Sequence, residues 1–180
     1  MLSKFFRVIA NAVRLIGKPC YGRLLCVSRS TRVEVSRKGR LAVGKNFRTR
    51  RNVEILVRGT ATVDIGDNVF FNSGCILTAR EKISVGEGTI FGPGVMVFDN
   101  DHAIKDGRVC DNEFVTAPVT IGKNVWVGAG ALILKGAVLE DGCVVAAGSV
   151  VKGRVRSGTV FVQKRTGEEI PIKGECHGED

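Results

Sequence analysis

The chain of 180 residues suits one domain with a sizeable core; it holds no apolar run long enough to span a bilayer and no small-residue cleavage site of a signal peptide. Charge is uneven: residues 1–58 carry 15 Lys and Arg against Glu34 and Glu54, a net of +13, and the remainder nets −4. A basic end calls for an anionic partner; nucleic acid is set aside because few aromatics beyond Tyr21 and Phe47 interleave with the cations, which leaves a membrane surface.

Residues 1–30 form a basic amphipathic segment. Leu2, Phe5, Phe6, Ile9, Ala12, Val13 and Ile16 share one helical face, and Lys4, Arg7, Asn11, Arg14 and Lys18 the other. Gly17 and Pro19 end the predicted helix. Such a helix either lies in an anionic membrane interface or packs on the domain or on a neighbouring subunit.

Residues 31–160 are organised by a period of six. Aliphatic or aromatic residues hold most first places at Val43, Thr49, Ile55, then Ile65, Phe71, Leu77, then Val85, Phe91, Val97. The frame is lost until Ile121, so a long loop of about 99–118 is predicted. It resumes at Ile121, Val127, Ile133, Leu139, Val145 and Val151. Fifth places from Val125 on are mostly small (Val125, Ala131, Ala137, Cys143, Ser149); fourth places from Asn124 to Gly148 are Asn or Gly, and those upstream include Asn46, Asn52, Asn68, Gly74 and Asn100. Residues two apart in a strand share a face, and Asn and Gly tolerate the left-handed backbone of a recurring corner. Gly or Asn in every repeat excludes helices. The period predicts an all-β solenoid of five rungs, three strands each. Of the six Cys (20, 26, 75, 110, 143, 176), none forms a CxxC pair, and Cys75 and Cys143 fall at inward places, as reduced core residues of a cytoplasmic protein. Residues 161–180 read as a tail.

Pro118 to Gly128 reads PVTIGKNVWVG. With the hexads of about residues 40–152, this stretch resembles the hexapeptide-repeat acyltransferases, including galactoside, maltose and polysaccharide acetyltransferases. The resemblance implies a left-handed parallel β-helix, a hand opposite to the general rule for parallel crossovers. It further implies acetyl-CoA as acyl donor, no metal, a sugar or glycan-precursor acceptor, and a homotrimer with its active site between neighbouring coils.

The segment Phe98-Asp99-Asn100-Asp101-His102 sits where the repeat breaks, a place where function concentrates. From the residues alone His102 is either a solvated loop histidine or a site residue; the resemblance implies the catalytic base. A neutral imidazole suits that role near pH 7. Asp99 or Asp101 either orients its ring or is a solvated turn residue. Asp99, Asn100 and Asp101 resemble a calcium loop only superficially, lacking the Gly and terminal Glu. One His within the repeats argues against a zinc-dependent β-helix carbonic anhydrase, which needs three ligands.

By the same resemblance Asn72 contacts substrate, unless it is a corner Asn bonding its own backbone. Trp126, predicted outward, is either an apolar platform at the substrate site or subunit packing. Ala129 and Ala147, one rung apart, would bind the pantetheine arm through their backbone, with Lys152 just beyond for a nucleotide phosphate. The family's AGxPAK-like ending is absent: Lys152, Arg154, Arg156, Lys164 and Arg165 stand in its place. The expected activity is therefore acetyl-CoA-dependent O-acetylation of a sugar hydroxyl, peripheral to the inner membrane face. N-acetylation of an amino sugar, transfer to a small acceptor such as serine, and a non-enzymatic structural solenoid are the alternatives.

Overall fold

The computed structural model describes residues 26–164. The predicted N-terminal helix, Cys20, Tyr21, Arg165, Cys176 and His177 lie outside them. Each turn of the chain lays down three short strands. The first three turns are β1 (Arg32–Val35), β2 (Arg40–Val43) and β3 (Arg48–Thr49); β4 (Glu54–Val57), β5 (Thr62–Ile65) and β6 (Phe70–Phe71); β7 (Ile76–Ala79), β8 (Lys82–Val85) and β9 (Ile90–Phe91). The fourth turn starts with β10 (Met96–Phe98), is interrupted by β11 (Asn100–Lys105) and β12 (Arg108–Thr116), and resumes with β13 (Val119–Ile121) and β14 (Trp126–Val127). Two more turns follow: β15 (Leu132–Ile133), β16 (Val138–Leu139), β17 (Val144–Val145), then β18 (Val150–Val151), β19 (Arg154–Val155), β20 (Val160–Phe161).

Successive turns stack as three parallel six-stranded sheets: β1-β4-β7-β10-β15-β18, β2-β5-β8-β13-β16-β19 and β3-β6-β9-β14-β17-β20. Equivalent residues align turn over turn, as in Ile76↔Met96↔Leu132↔Val150. The five rungs expected from Val43 to Val151 correspond to β2 through β18, and β1, β19 and β20 extend the coil at its two ends.

Period six determines what is inside. All fifteen first-place residues are buried, as are the fifth places from Val125 to Ser149. Thr49, the one polar first place, bonds the Thr31 hydroxyl (2.7 Å) and accepts from the Ser28 amide (2.9 Å). Phe71 and Phe91 stack at 4.2 Å between centroids, and Phe47 meets Phe71 edge-on at 5.8 Å. Fourth-place Asn46, Asn52, Asn68 and Asn124 have φ of 52° to 60°, the left-handed corner that their side chains tolerate. Asn100 departs from this expectation: it opens β11 opposite Thr116 instead of turning a corner. Cys75 and Cys143 are buried free thiols.

Candidate active site

The interruption is an ordered hairpin. β11 pairs antiparallel with β12, with a shift in register between His102 and Ile104. Asp106 and Gly107 turn it with φ of 49° and 73°, the two left-handed residues of a type I′ turn. The predicted loop of 99–118 is thus mostly strand, and the Asp-Gly dipeptide was the signal that could have revealed it. The hairpin is closed at its base by the Ala117 amide donating to the Asp99 carbonyl at 2.9 Å.

Asp99 anchors that base. Its side chain is fully buried, with Oδ1 accepting from the Arg80 amide (2.8 Å) and the Asn100 side-chain amide (2.9 Å), and Oδ2 from the Glu81 amide (2.8 Å). Neither expectation for it holds, since it is not solvated and its carboxylate is committed to the corner at residues 80–81. Asp101 is exposed and reaches Lys135 Nζ at 3.4 Å, from the corner one turn further on.

His102 is held by other groups. Its Nδ1 lies 3.0 Å from the Cys110 carbonyl oxygen, across the hairpin. A carbonyl can only accept, so Nδ1 carries a proton, and in the neutral imidazole the lone pair is on Nε2. The ring packs on Phe114, its cross-strand neighbour, at 4.6 Å between centroids. On Phe114 in turn lies the Arg80 guanidinium, 3.2 Å from the ring centre. Burial, and then the nearby Arg58, push the Arg80 pKa below its ordinary value against the opposing pull of Asp99. Sequence reasoning missed all three supports. A backbone carbonyl has no residue signature, and Phe114 and Arg80 lie 12 and 22 positions from His102.

The other candidates divide between two edges of the coil. Ala129 and Ala147 do stack on one edge, the corner leading into β15 and β18, where the Gly148 amide donates to the Ala129 carbonyl at 2.8 Å. Close approach is built in there: a Cβ on Gly128 would come within 2.6 Å of the Ala147 nitrogen. Asn72 lies on the same edge two turns earlier, linked through the Gly94 amide to the Ser73 carbonyl and the Gly130 amide to the Pro93 carbonyl. Its Oδ1 accepts from the Ser73 amide at 2.9 Å, the local corner bond. Trp126 points outward as predicted, 57% exposed, between Ile90 and Val144 on the neighbouring strands.

Lys152 is the exception. It follows β18, whereas Ala147 precedes it, so the two flank opposite ends of one strand. Lys152 belongs to the hairpin's edge, two turns past His102 and one past Lys135, and does not continue the alanine edge. Arg154 is engaged with Glu140 at 2.9 Å. Within one chain, His102, Lys135 and Lys152 line one edge of the first sheet, and Asn72, Ala129 and Ala147 line the other. Among the described residues no cluster of His, Cys, Asp and Glu is arranged to hold a metal.

Residues 118–153 match the bacterial transferase hexapeptide family, six repeats. A protein of Escherichia coli K12, named provisionally as the lipopolysaccharide biosynthesis O-acetyl transferase WbbJ, is 25% identical over 86% of this chain and 77% of its own length. Galactoside O-acetyltransferase of the same organism is 28% identical over 51% of this chain, which spans 45% of that enzyme. Among solved structures, the S84A mutant of AntD, an N-acyltransferase from Bacillus cereus in complex with dTDP-4-amino-4,6-dideoxyglucose and coenzyme A, superposes with a TM-score of 0.71 at 18% identity, covering 87% of this chain and 86% of that one. Repeat, coil and relatives agree: residues 118–153 carry the bacterial transferase hexapeptide repeat, and the chain, similar to the acetyltransferases named above, is built on the left-handed parallel β-helix that this repeat encodes.

Proposed function

We propose that the protein is an acetyl-CoA-dependent O-acetyltransferase that acylates a hydroxyl of a sugar or surface-glycan precursor in the cytoplasm, with His102 as general base. The observation that carries this reading is the bond from His102 Nδ1 to the Cys110 carbonyl, which leaves Nε2 able to take a proton. A sugar hydroxyl is a poor nucleophile near neutral pH. Nε2 removes its proton as the oxygen attacks the thioester carbonyl carbon, while backbone N–H groups of the cleft hold the oxyanion. The C–S bond then breaks, and the imidazolium returns the proton to the departing sulfur.

A homotrimer supplies what one chain lacks. A neighbouring copy that sets its Ala129–Ala147 edge against the hairpin edge would run the pantetheine arm past the alanines. Trp126 and Asn72 would then face the acceptor, and Lys152 would meet a coenzyme A phosphate. The acceptor class draws on the lipopolysaccharide named for the Escherichia coli relative. The fold shared with AntD, an N-acyltransferase, favours N-acylation of an amino sugar as the second reading. A purely structural solenoid has no use for a hairpin that orients a histidine.

The test is thiol release from acetyl-CoA with neutral sugars, nucleotide sugars and 4-amino sugar nucleotides as acceptors. His102→Ala is expected to slow turnover by about a hundredfold or more with its melting temperature unchanged. Near-wild-type turnover in the folded variant refutes the base, and transfer to amines alone refutes O-acetylation.

A further inference from the structure

We infer that the first turn of the coil is a docking collar for an anionic lipid bilayer, distinct from any contribution of the amphipathic segment ahead of it. Residues 26–58 carry ten Lys and Arg against Glu34 and Glu54, and residues 59–164 carry ten against eleven Asp and Glu. One end of the coil is therefore at +8 and the rest at −1. Arg32 and Arg58 are engaged with the two glutamates, at 3.6 Å to Glu54 and 2.9 Å to Glu34. The other eight enter none of the ion pairs among the described residues.

Their placement is what selects the partner. Arg50 and Arg51 are exposed at one edge, Arg37 and Lys38 at the second, Lys45 at the third, and Arg40 on the face between. A linear polyanion follows one groove or face and would leave the other edges unused. A charged plane meeting the coil end-on engages all three edges together. Nucleic acid would also call for exposed aromatic platforms, yet Phe47, the aromatic of this turn, is buried. Long Arg and Lys stems let the charged heads reach toward such a plane. Adjacent strands are about 4.8 Å apart, so the hairpin, leaving the fourth turn, stands about 14 Å above the collar. That is within reach of the head group of a lipid-linked sugar. The docking is independent of the proposed reaction, whereas this last consequence rests on it.

The experiment is co-sedimentation of the full chain with vesicles of phosphatidylglycerol and phosphatidylcholine, and with phosphatidylcholine alone. The collar variant is Arg37→Glu, Lys38→Glu, Arg50→Glu and Arg51→Glu together, with the four Gln substitutions as its counterpart should the Glu set fail to fold. A third variant, Phe5→Ser with Phe6→Ser, disturbs only the apolar face of the N-terminal segment. Binding is expected with the anionic vesicles only, lost toward ~1 M salt, where the screening length is about 3 Å. The folded collar variant should bind at least about tenfold more weakly, since each basic residue near an anionic surface contributes several-fold. The inference is overturned if the collar variant binds like wild type, if only the Phe variant loses binding, or if heparin at matched charge captures the protein in preference to the vesicles.

Discussion

Asp99 provides the sharpest test of how the hairpin is held. Its carboxylate is wholly buried and accepts two backbone amides, of Arg80 and Glu81, both at 2.8 Å, together with the Asn100 side chain at 2.9 Å. A hydrogen bond to a charged group contributes about 1.5–3 kcal/mol, and a buried donor left unsatisfied costs about 1–3 kcal/mol. Asp99→Ala strands two backbone donors at a corner that water partly reaches, for an expected loss of about 3 kcal/mol. In a protein of this size 1 kcal/mol shifts the melting temperature by about 2–4 °C, so the drop should be about 6–12 °C. Asp99→Asn keeps one acceptor oxygen but turns an NH2 toward the other amide, and should lose roughly half as much. Melting followed by circular dichroism measures both. A folded Asp99→Asn and Asp99→Ala pair that melts with wild type would refute the anchoring role. A large fall in turnover without loss of stability would return Asp99 to the ring-orienting role that the geometry denies it.

Other outcomes follow from the same geometry. Gly128→Ala places a Cβ 2.6 Å from the Ala147 nitrogen and 2.8 Å from the Val145 carbonyl oxygen; neither backbone atom can yield cheaply, so a loss of about 1–3 kcal/mol is expected in urea unfolding. Ala147→Trp should raise the KM for acetyl-CoA with melting preserved, and an unchanged KM in the folded variant would move the pantetheine groove off this edge. Burial pushes the Cys75 and Cys143 thiols above their ordinary pKa. Their contribution to stability is therefore complete below the unfolded thiol pKa of about 8.5 and is lost as pH rises, because the unfolded chain releases protons that the folded one retains. A urea midpoint that rises between neutral pH and pH ~10 would contradict this. In the native protein, a thiol reagent should reach Cys26 and Cys110 before Cys75 and Cys143, which labelling with mass spectrometry can follow.

Most of the architecture was legible without coordinates because it is local. A hexad states which side chain points inward and where the backbone turns, and those choices repeat with little dependence on distant residues. Thus the buried ladder from Val43 to Val151, the corner asparagines at 46, 52, 68 and 124, and the outward Trp126 all follow from the period. The placement of Lys152 was recoverable too. It is the second residue of its hexad and Ala147 the third of the one before, so a whole strand separates them.

The interruption is different. Inside 99–118 there is no repeat, and what each residue does depends on its partner across the hairpin. Whether Asp99 orients a ring or ties down a corner depends on the amides of residues 80–81, brought beside it by the coil. The His102 tautomer is dictated by the carbonyl of Cys110, a group that every residue possesses and no sequence pattern marks. Net charge likewise announced a basic end, but only the winding of the first turn distributes those cations around three edges. Period and composition are properties of the chain; proton placement, anchoring and the shape of a charged surface arise from residues far apart in sequence that folding brings together.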